Sequence, residues 1–227
     1  MLKISKRLCT VAQYVRDGAV VADIGTDHAY LPIYLAEQGK IKRAVASDIN
    51  KGPLEKAKEN IHNYGYDEII DACLANGLAH INEYNPTDIA ICGMGGELIA
   101  QILDASDYVK KEGVRLILQP MTSARELREY LSKGYFTIAE NIVFEDGKLY
   151  QIICAEYDGK EKHYTEAELE LGIRNIENGG EMYERLLFST IAKKQKKLDG
   201  QRLGGQNTDE TEKELQELLK LKEKLSK

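Results

Sequence analysis

Short apolar runs that end in an acidic residue or glycine recur along the first half of the sequence, with helical stretches between them, and nothing else narrows the fold so far. Ala19 to Ile24 runs into Gly25 and is followed by a helical stretch from Tyr30 to Gln38 and then Gly39. Arg43 to Ser47 ends at Asp48 and gives way to a helix from Pro53 to Tyr64. Ile69 to Leu74, Asp88 to Cys92 and Val114 to Leu118 repeat the strand pattern, with a helix from Glu97 to Leu103 between the last two, and Pro120 is expected to stop the final strand. Apolar runs this short, bounded by turn residues, are strands, and the segments between them are long enough for helices. Such alternation demands right-handed crossovers, hence an α/β domain built on a largely parallel sheet with helices on both faces.

The two ends of the chain modify this plan. Ile4, Leu8, Val11 and Val15 share one face of an amphipathic helix predicted over Leu2 to Val15. Tyr135 to Phe144 and Leu149 to Tyr157 flank Glu145-Asp146-Gly147-Lys148, and Asp-Gly between β-rich runs signals a tight hairpin. A terminal hairpin makes one strand antiparallel. By fold-level analogy this favours a Rossmann-like S-adenosylmethionine (SAM) methyltransferase domain over an all-parallel nicotinamide domain. Beyond Gly159 the texture turns to Glu, Lys and Leu, so residues 1–159 are expected to form the α/β domain and 160–227 a helical one. Helices are predicted over Thr165 to Arg174, Gly180 to Leu198 and Thr208 to Ser226, the last two as a coiled-coil hairpin. Leu186, Leu187, Ile191 and Leu198 would face Leu215, Leu218, Leu219 and Leu225, with Asp199-Gly200 and Gly204-Gly205 in the connection.

A formal net charge of -6 argues against a surface that grips phosphate backbones everywhere, and DNA is not an expected partner. From Lys160 onward 14 basic residues balance 14 acidic ones, so the front domain carries the whole deficit and only a local basic patch is left for nucleic acid. Lys193, Lys194, Lys196 and Lys197 form one such run, which serves equally as a solvated helix face. No apolar stretch reaches the roughly 18 residues of a membrane span, and the first residues alternate apolar and basic without a signal-type core. A cytoplasmic protein without membrane contact or an obligate protein partner is expected. Cys9, Cys73, Cys92 and Cys154 are widely spaced in mostly apolar surroundings, which reads as buried free thiols and no metal site.

The candidate chemistry sits where strands hand over to helices. Asp23-Ile24-Gly25-Thr26-Asp27-His28 follows the first strand, the usual ligand position in an open parallel sheet, and Gly25 permits close backbone approach. The stretch lacks the GxGxxG of nicotinamide sites. Its acidic and polar side chains suit a ligand with a methionine-type amino group, for which either Asp23 or Asp27 can be the carboxylate. Asp27 can equally be a helix N-cap and His28 a packing residue. Asp48, with Ile49 behind it, ends the second strand where a carboxylate accepts from both hydroxyls of an adenosine ribose, a diol common to SAM and NAD. Asn76 and Gly77 follow the third strand, where Asn76 can pair with an adenine or simply make a turn. Gly93-Met94-Gly95-Gly96 follows the fourth, where glycines let a flat substrate approach, although loops before helices carry glycine for conformational reasons too. Gln119 ends the fifth and can read a base edge or satisfy backbone groups.

Together, Ile4-Ser5-Lys6-Arg7-Leu8, Val21 to Pro32 with its GTDHAYLP, Ala46-Ser47-Asp48-Ile49-Asn50, Ile91-Cys92-Gly93-Met94-Gly95-Gly96 and Leu118-Gln119-Pro120 resemble the bacterial TrmK family, whose members methylate N1 of the adenine at position 22 of tRNA. The resemblance runs through the whole chain, hairpin and helical tail included. It implies a class I methyltransferase domain holding SAM around Asp23, Gly25, Thr26, Asp27, His28, Asp48, Ile49, Asn76, Gly77 and Gly93, with a tail that helps to hold tRNA. Two departures stand out: Ala75-Asn76-Gly77-Leu78 where the family pattern is Gly-Asp-Gly-Leu, and Gln119-Pro120-Met121 where it is Gln-Pro-Asn.

N1 of adenine carries a lone pair and no proton at neutral pH, so methylation there needs alignment more than a base. Asp27, His28 and the loop of Gly93, Met94 and Gly95 are therefore expected to orient the base and cofactor. Lys3, Lys6, Arg7, Gly96 and Gln119 are the candidates for contact with the RNA, the basic ones being equally open to a reading as solvated charges. The competing functions are a nicotinamide oxidoreductase, a small-molecule methyltransferase, and an RNA-binding relative without turnover.

Overall fold

The computed structural model describes residues 2–225. Contacts divide the chain into two compact units, Met1–Lys162 and His163–Lys227.

In the first unit a helix α1 (Lys6–Tyr14) precedes β1 (Ala19–Ile24), α2 (Tyr30–Glu37), β2 (Ile41–Asp48), α3 (Lys51–Asn63) and β3 (Ile70–Leu74). There follow β4 (Asp88–Gly95), α4 (Gly96–Asp104), β5 (Arg115–Thr122), α5 (Ala124–Leu131), β6 (Tyr135–Glu145) and β7 (Lys148–Tyr157). The strands form one seven-stranded sheet in the order β3-β2-β1-β4-β5-β7-β6. Its first five members are parallel; β7 runs antiparallel between β5 and β6, closing the sheet through the Asp146-Gly147 turn. The hairpin and the mixed sheet are as the sequence implied.

Successive residues of each strand serve opposite faces, as the pleat requires. Val21, Ala44, Ala46, Ala90 and Ile117 pack beneath α1, α2 and α3, while their neighbours Ala22, Val45, Ile89, Leu116 and Leu118 pack beneath α4 and α5. Both faces are covered, which is why the strands read as continuous apolar runs rather than alternating ones.

Three boundaries and one helix depart furthest from what the sequence implied. Ser5 caps α1 by accepting from Leu8 N–H, so the helix starts later than Leu2. Pro120 does not end β5, which continues to Thr122; its pairing with β7 stops at Leu118, so the proline stands where one side of the strand has no ladder partner. β4 runs past Cys92 through Gly95, with register shifts around Met94. Helix α5 was not foreseen: Leu127 and Leu131 make too short an apolar stripe to stand out, and its third buried residue is Arg128.

In the second unit the single helix expected over Thr165 to Arg174 is two, α6 (Glu166–Leu171) and α7 (Ile173–Asn178), parted at Gly172 with φ 88°. Thr165 and Glu168 form a reciprocal capping box at the start of α6. The helical hairpin is α8 (Glu181–Leu203) and α9 (Asp209–Leu225). Asp199-Gly200 lies inside α8, and only Gly204-Gly205 belongs to the connection. Leu186, Leu187, Leu198, Leu215 and Leu218 are buried as expected, but Leu219 and Leu225 are exposed and Thr211 and Glu214 take inward positions instead. Ser226 lies outside the described residues. Lys194 leaves the basic run: its Nζ lies 2.7 Å from both Glu170 and Glu214, bracing α6, α8 and α9. Lys193, Lys196 and Lys197 remain exposed.

Candidate functional site

The sheet order reverses direction between β1 and β4. The helix after β1 packs on one face and the helix after β4 on the other, leaving a crevice at the carboxyl edge. Asp23, Asp48, Asn76 and the Gly93 turn all lie along that edge.

Asp23 is buried at 6% exposure, and Thr26 Oγ1 donates to its Oδ2 at 2.6 Å. Burial pushes the carboxyl up to about 6; the Thr26 hydrogen bond works against this, and the negative charges of Asp27 and Asp48 add to it. A buried carboxylate beside two others is costly unless a positive group shares the space. The turn above it is held to β2, because the N–H groups of Gly25 and Thr26 both donate to Ser47 O at 2.8 Å. Gly25 has φ +72°, which favours glycine, and a Cβ there would stand 2.0 Å from Met94 Cε, the mobile end of that side chain.

His28 and Ala29 both adopt left-handed backbone, φ 60° and 57°. Such a pair persists only where the surroundings enforce it. Ala29 is wholly buried, and Asn60 Nδ2 on α3 donates to His28 O at 3.0 Å. The N-cap position of α2 falls to Ala29 without any side-chain bond, so Asp27 is not the helix cap. Its carboxylate is 84% exposed, with Oδ1 at 3.3 Å from His28 Nε2, and the His28 ring stacks on Tyr30 at 5.2 Å between centroids.

Asp48 closes β2, and its Oδ1 accepts from Asn50 N–H at 2.7 Å. Ile49 beside it is 60% exposed, and Leu74 at the end of β3 is 47% exposed. Leu74 escaped the sequence reading because it looks like any strand residue; only the exposure of two large apolar side chains on adjacent strand ends marks a place for a flat apolar group. Asn76 is exposed, and Gly77 turns the chain at φ +55°. Among the described residues the buried Ser47 Oγ finds no hydrogen-bond partner.

The fourth-strand loop divides. Gly93 is exposed at φ +79°, and Met94 is half-buried with its methyl group against Gly25. Gly96 is buried, and a Cβ on it would stand 2.0 Å from Ser123 O. Glycine is needed there so that α4 can start against the β5–α5 backbone. Gln119 is wholly buried, its Oε1 accepting from Gly93 N–H at 3.2 Å and its Nε2 donating to Pro120 O at 2.9 Å, so its amide serves backbone groups, the second of the two roles its sequence position offered. Arg7 is not a free cation: it donates from Nε to Glu145 at 2.8 Å and from Nη1 to Gln119 at 2.8 Å. Lys3 and Lys6 are exposed. Of the four thiols only Cys154 is fully buried, where burial pushes it up to about 12; the other three are half-buried.

The arrangement suits a ligand with a cationic group for Asp23, hydroxyls for Asp48 and a flat apolar part between Ile49 and Leu74. The chain as a whole is similar to known methyltransferases. Residues 4–153 match the family described as Methyltransferase domain. Over 173 residues, 76% of this chain and 73% of the other, the sequence is 40% identical to the tRNA (adenine(22)-N(1))-methyltransferase of Bacillus subtilis. The crystal structure of the B. subtilis m1A22 tRNA methyltransferase TrmK superposes with a TM-score of 0.83 at 35% identity, covering 98% of this chain and 99% of that one. The Streptococcus pneumoniae protein Sp1610, solved in complex with S-adenosyl-L-methionine, superposes with a TM-score of 0.85 at 33% identity, covering 96% and 99%.

Proposed function

We propose that this chain, which belongs to the TrmK family of bacterial tRNA methyltransferases, transfers the methyl group of S-adenosyl-L-methionine to N1 of the adenine at position 22 of tRNA. The observation that carries the reading is the buried Asp23 carboxyl, flanked by Asp27 and Asp48 at the carboxyl edge of a methyltransferase sheet. A cluster of that charge fits SAM, whose ammonium and sulfonium are both positive.

Asp23 would hold the amino group, Asp48 the ribose hydroxyls, and Ile49 and Leu74 the faces of the adenine, with Asn76 offering an amide to its edge. Bound there, SAM supplies an electrophilic methyl group. The remaining task belongs to the chain. Because N1 of the target adenine already presents a lone pair, no side chain need remove a proton before attack, and the residues act by orienting and by excluding water. Asp27, His28 and the Gly93-Met94-Gly95 turn flank Gly25 and are the groups placed to do so. The target base must leave its pairing or tertiary contacts to reach them. Lys3 and Lys6 in the first unit and Lys193, Lys196 and Lys197 in the helical one are among the exposed cations that could meet RNA phosphates, and binding is expected to weaken with salt. Among the described residues no helix is long and apolar enough to cross a membrane; a tRNA substrate would be met in the cytoplasm.

Asp23 carries a pH prediction. Raised from 3.8 to about 6, its carboxyl binds more protons in the folded chain than in the unfolded one. The protonated form therefore favours the fold below pH 3.8, and that gain is lost as pH rises through about 6. Ionised Asp23 is what an ammonium requires, so SAM affinity should fall as pH drops below about 6, with protons released on binding near that pH. Asp23→Asn should bind SAM weakly at every pH, yet unfold at a higher temperature than the wild type at pH 7. Calorimetric titration between pH 5 and 8 tests this; a pH-independent affinity for the wild type contradicts it.

The function itself is tested by incubating the protein with SAM and unmodified bacterial tRNA, alongside the same tRNA carrying guanosine at position 22, and digesting to nucleosides. N1-methyladenosine from the first RNA alone is expected. Product from both, or from neither while SAM binds, would overturn the assignment of substrate and position.

A further inference from the structure

At the Cys92–Met94 register shift Gly93 stands as an extra residue in β4 opposite β5. A bulge residue loses its ladder partner, and its N–H must be satisfied in another way. Here the acceptor is a side chain, Gln119 Oε1, from the neighbouring strand. The same oxygen accepts from Arg7 Nη1, whose guanidinium is fixed by Glu145 through Nε and lies over the Tyr150 ring at 4.6 Å from its centroid. Glu145 Oε1 also accepts from Lys6 N–H at 2.6 Å. Burial alone would raise the Glu145 carboxyl, but the hydrogen bonds and charge of Arg7 and the Lys6 N–H hold it below its usual range.

The donors decide which way the Gln119 amide points. Arg7 and Gly93 N–H can only donate, so the oxygen must sit between them and the nitrogen must turn to Pro120 O, as it does. Met121 joins the same cluster: Arg7 Nη1 lies 3.3 Å from its sulfur. Four segments, α1, the β6–β7 hairpin, β5 and the β4 bulge, thus meet in one hydrogen-bonded chain that ends on the backbone of the turn facing Gly25.

The geometry points to Arg7, Glu145 and Gln119 as a positioning relay, in which the amino-terminal helix and the terminal hairpin set the Gly93-Met94 turn for methyl transfer. This rests on the reading of that turn as the reacting face. Arg7 touches neither reactant in this role; it acts through Gln119.

The test combines Arg7→Met, Glu145→Gln, Gln119→Leu, Gln119→Glu and the Arg7→Met/Gln119→Leu double variant, each checked for folding by its melting temperature. Single-turnover transfer to tRNA, tRNA affinity and SAM affinity are measured for all. Arg7→Met and Gln119→Leu should each slow transfer by about 100-fold, the scale of a small misplacement at a reacting centre, with SAM affinity within about twofold of wild type. The double variant should be little slower than either single, and Gln119→Glu, which keeps the shared acceptor, should retain most of the rate. Effects that multiply in the double variant, or a loss confined to tRNA affinity with the saturated rate unchanged, would overturn the relay and make Arg7 a phosphate contact. Amide hydrogen exchange at Gly93 supplies a reading independent of turnover. It should speed up in Arg7→Met even if the wild type methylates no tRNA, and unchanged protection counts against the relay; an inactive wild type strikes the function alone.

Discussion

Asp48→Ala is expected to weaken SAM binding by about 100-fold while leaving the melting temperature within a few degrees of wild type. Its carboxylate ends β2 half-buried, and its Oδ1 accepts from Asn50 N–H at 2.7 Å. A hydrogen bond to a charged acceptor is worth about 1.5–3 kcal/mol, and two ribose hydroxyls sharing one carboxylate give about 3 kcal/mol, or two powers of ten in affinity. Asp48→Asn keeps an acceptor for Asn50 and should fall between the two. A loss of less than about threefold on calorimetry would mean that the diol binds elsewhere.

The second large effect concerns stability. Arg128 and Glu140 form an ion pair almost closed to solvent, 5% and 1% exposed at the side chains, with Nε to Oε1 at 2.7 Å. Arg128 Nη2 also donates to Gln151 Oε1 at 2.7 Å, so α5 is bolted to both strands of the terminal hairpin. Glu140→Ala would take away the carboxylate that pairs with the buried Arg128 guanidinium at 2.7 Å. Breaking such a pair from one side costs about 3–5 kcal/mol, which lowers the melting temperature of a unit this size by roughly 10 °C. Replacing both partners, as in Arg128→Met/Glu140→Leu, removes the buried charges together and should recover most of that loss. A double variant as unstable as the single would show that the pair contributes something other than mutual neutralisation.

What the sequence disclosed follows from how physical chemistry is written in it. Strand positions were legible because both sheet faces are covered, and a strand buried on both sides is a plain apolar run. The hairpin was legible because Asp146-Gly147 sits at φ 48° and 75°, a backbone few other pairs adopt easily. Asp23 and Asp48 were legible because an acid at the end of an apolar run has no structural reason to be there. Side-chain commitments were not. Nothing in one dimension says that Gln119 turns inward to a bulge in β4, that Arg7 reaches across to Glu145, or that Gly96 is needed by the Ser123 carbonyl. These depend on residues more than a hundred positions apart in the case of Arg7, and only the packed sheet brings them together. Lys194 teaches the same lesson: a run of lysines reads as one surface, but helical rotation turns one of them inward onto Glu170 and Glu214.

The most direct measurement is a crystal structure of this chain with S-adenosylhomocysteine, the product left when SAM has given up its methyl group. The ribose hydroxyls should lie within hydrogen-bond distance of Asp48, the amino group beside Asp23 and the adenine between Ile49 and Leu74, with Gln119 still holding Gly93. A product bound away from the β1–β4 crevice, or with its amino group turned from Asp23, would contradict the assignment of this edge as the cofactor site.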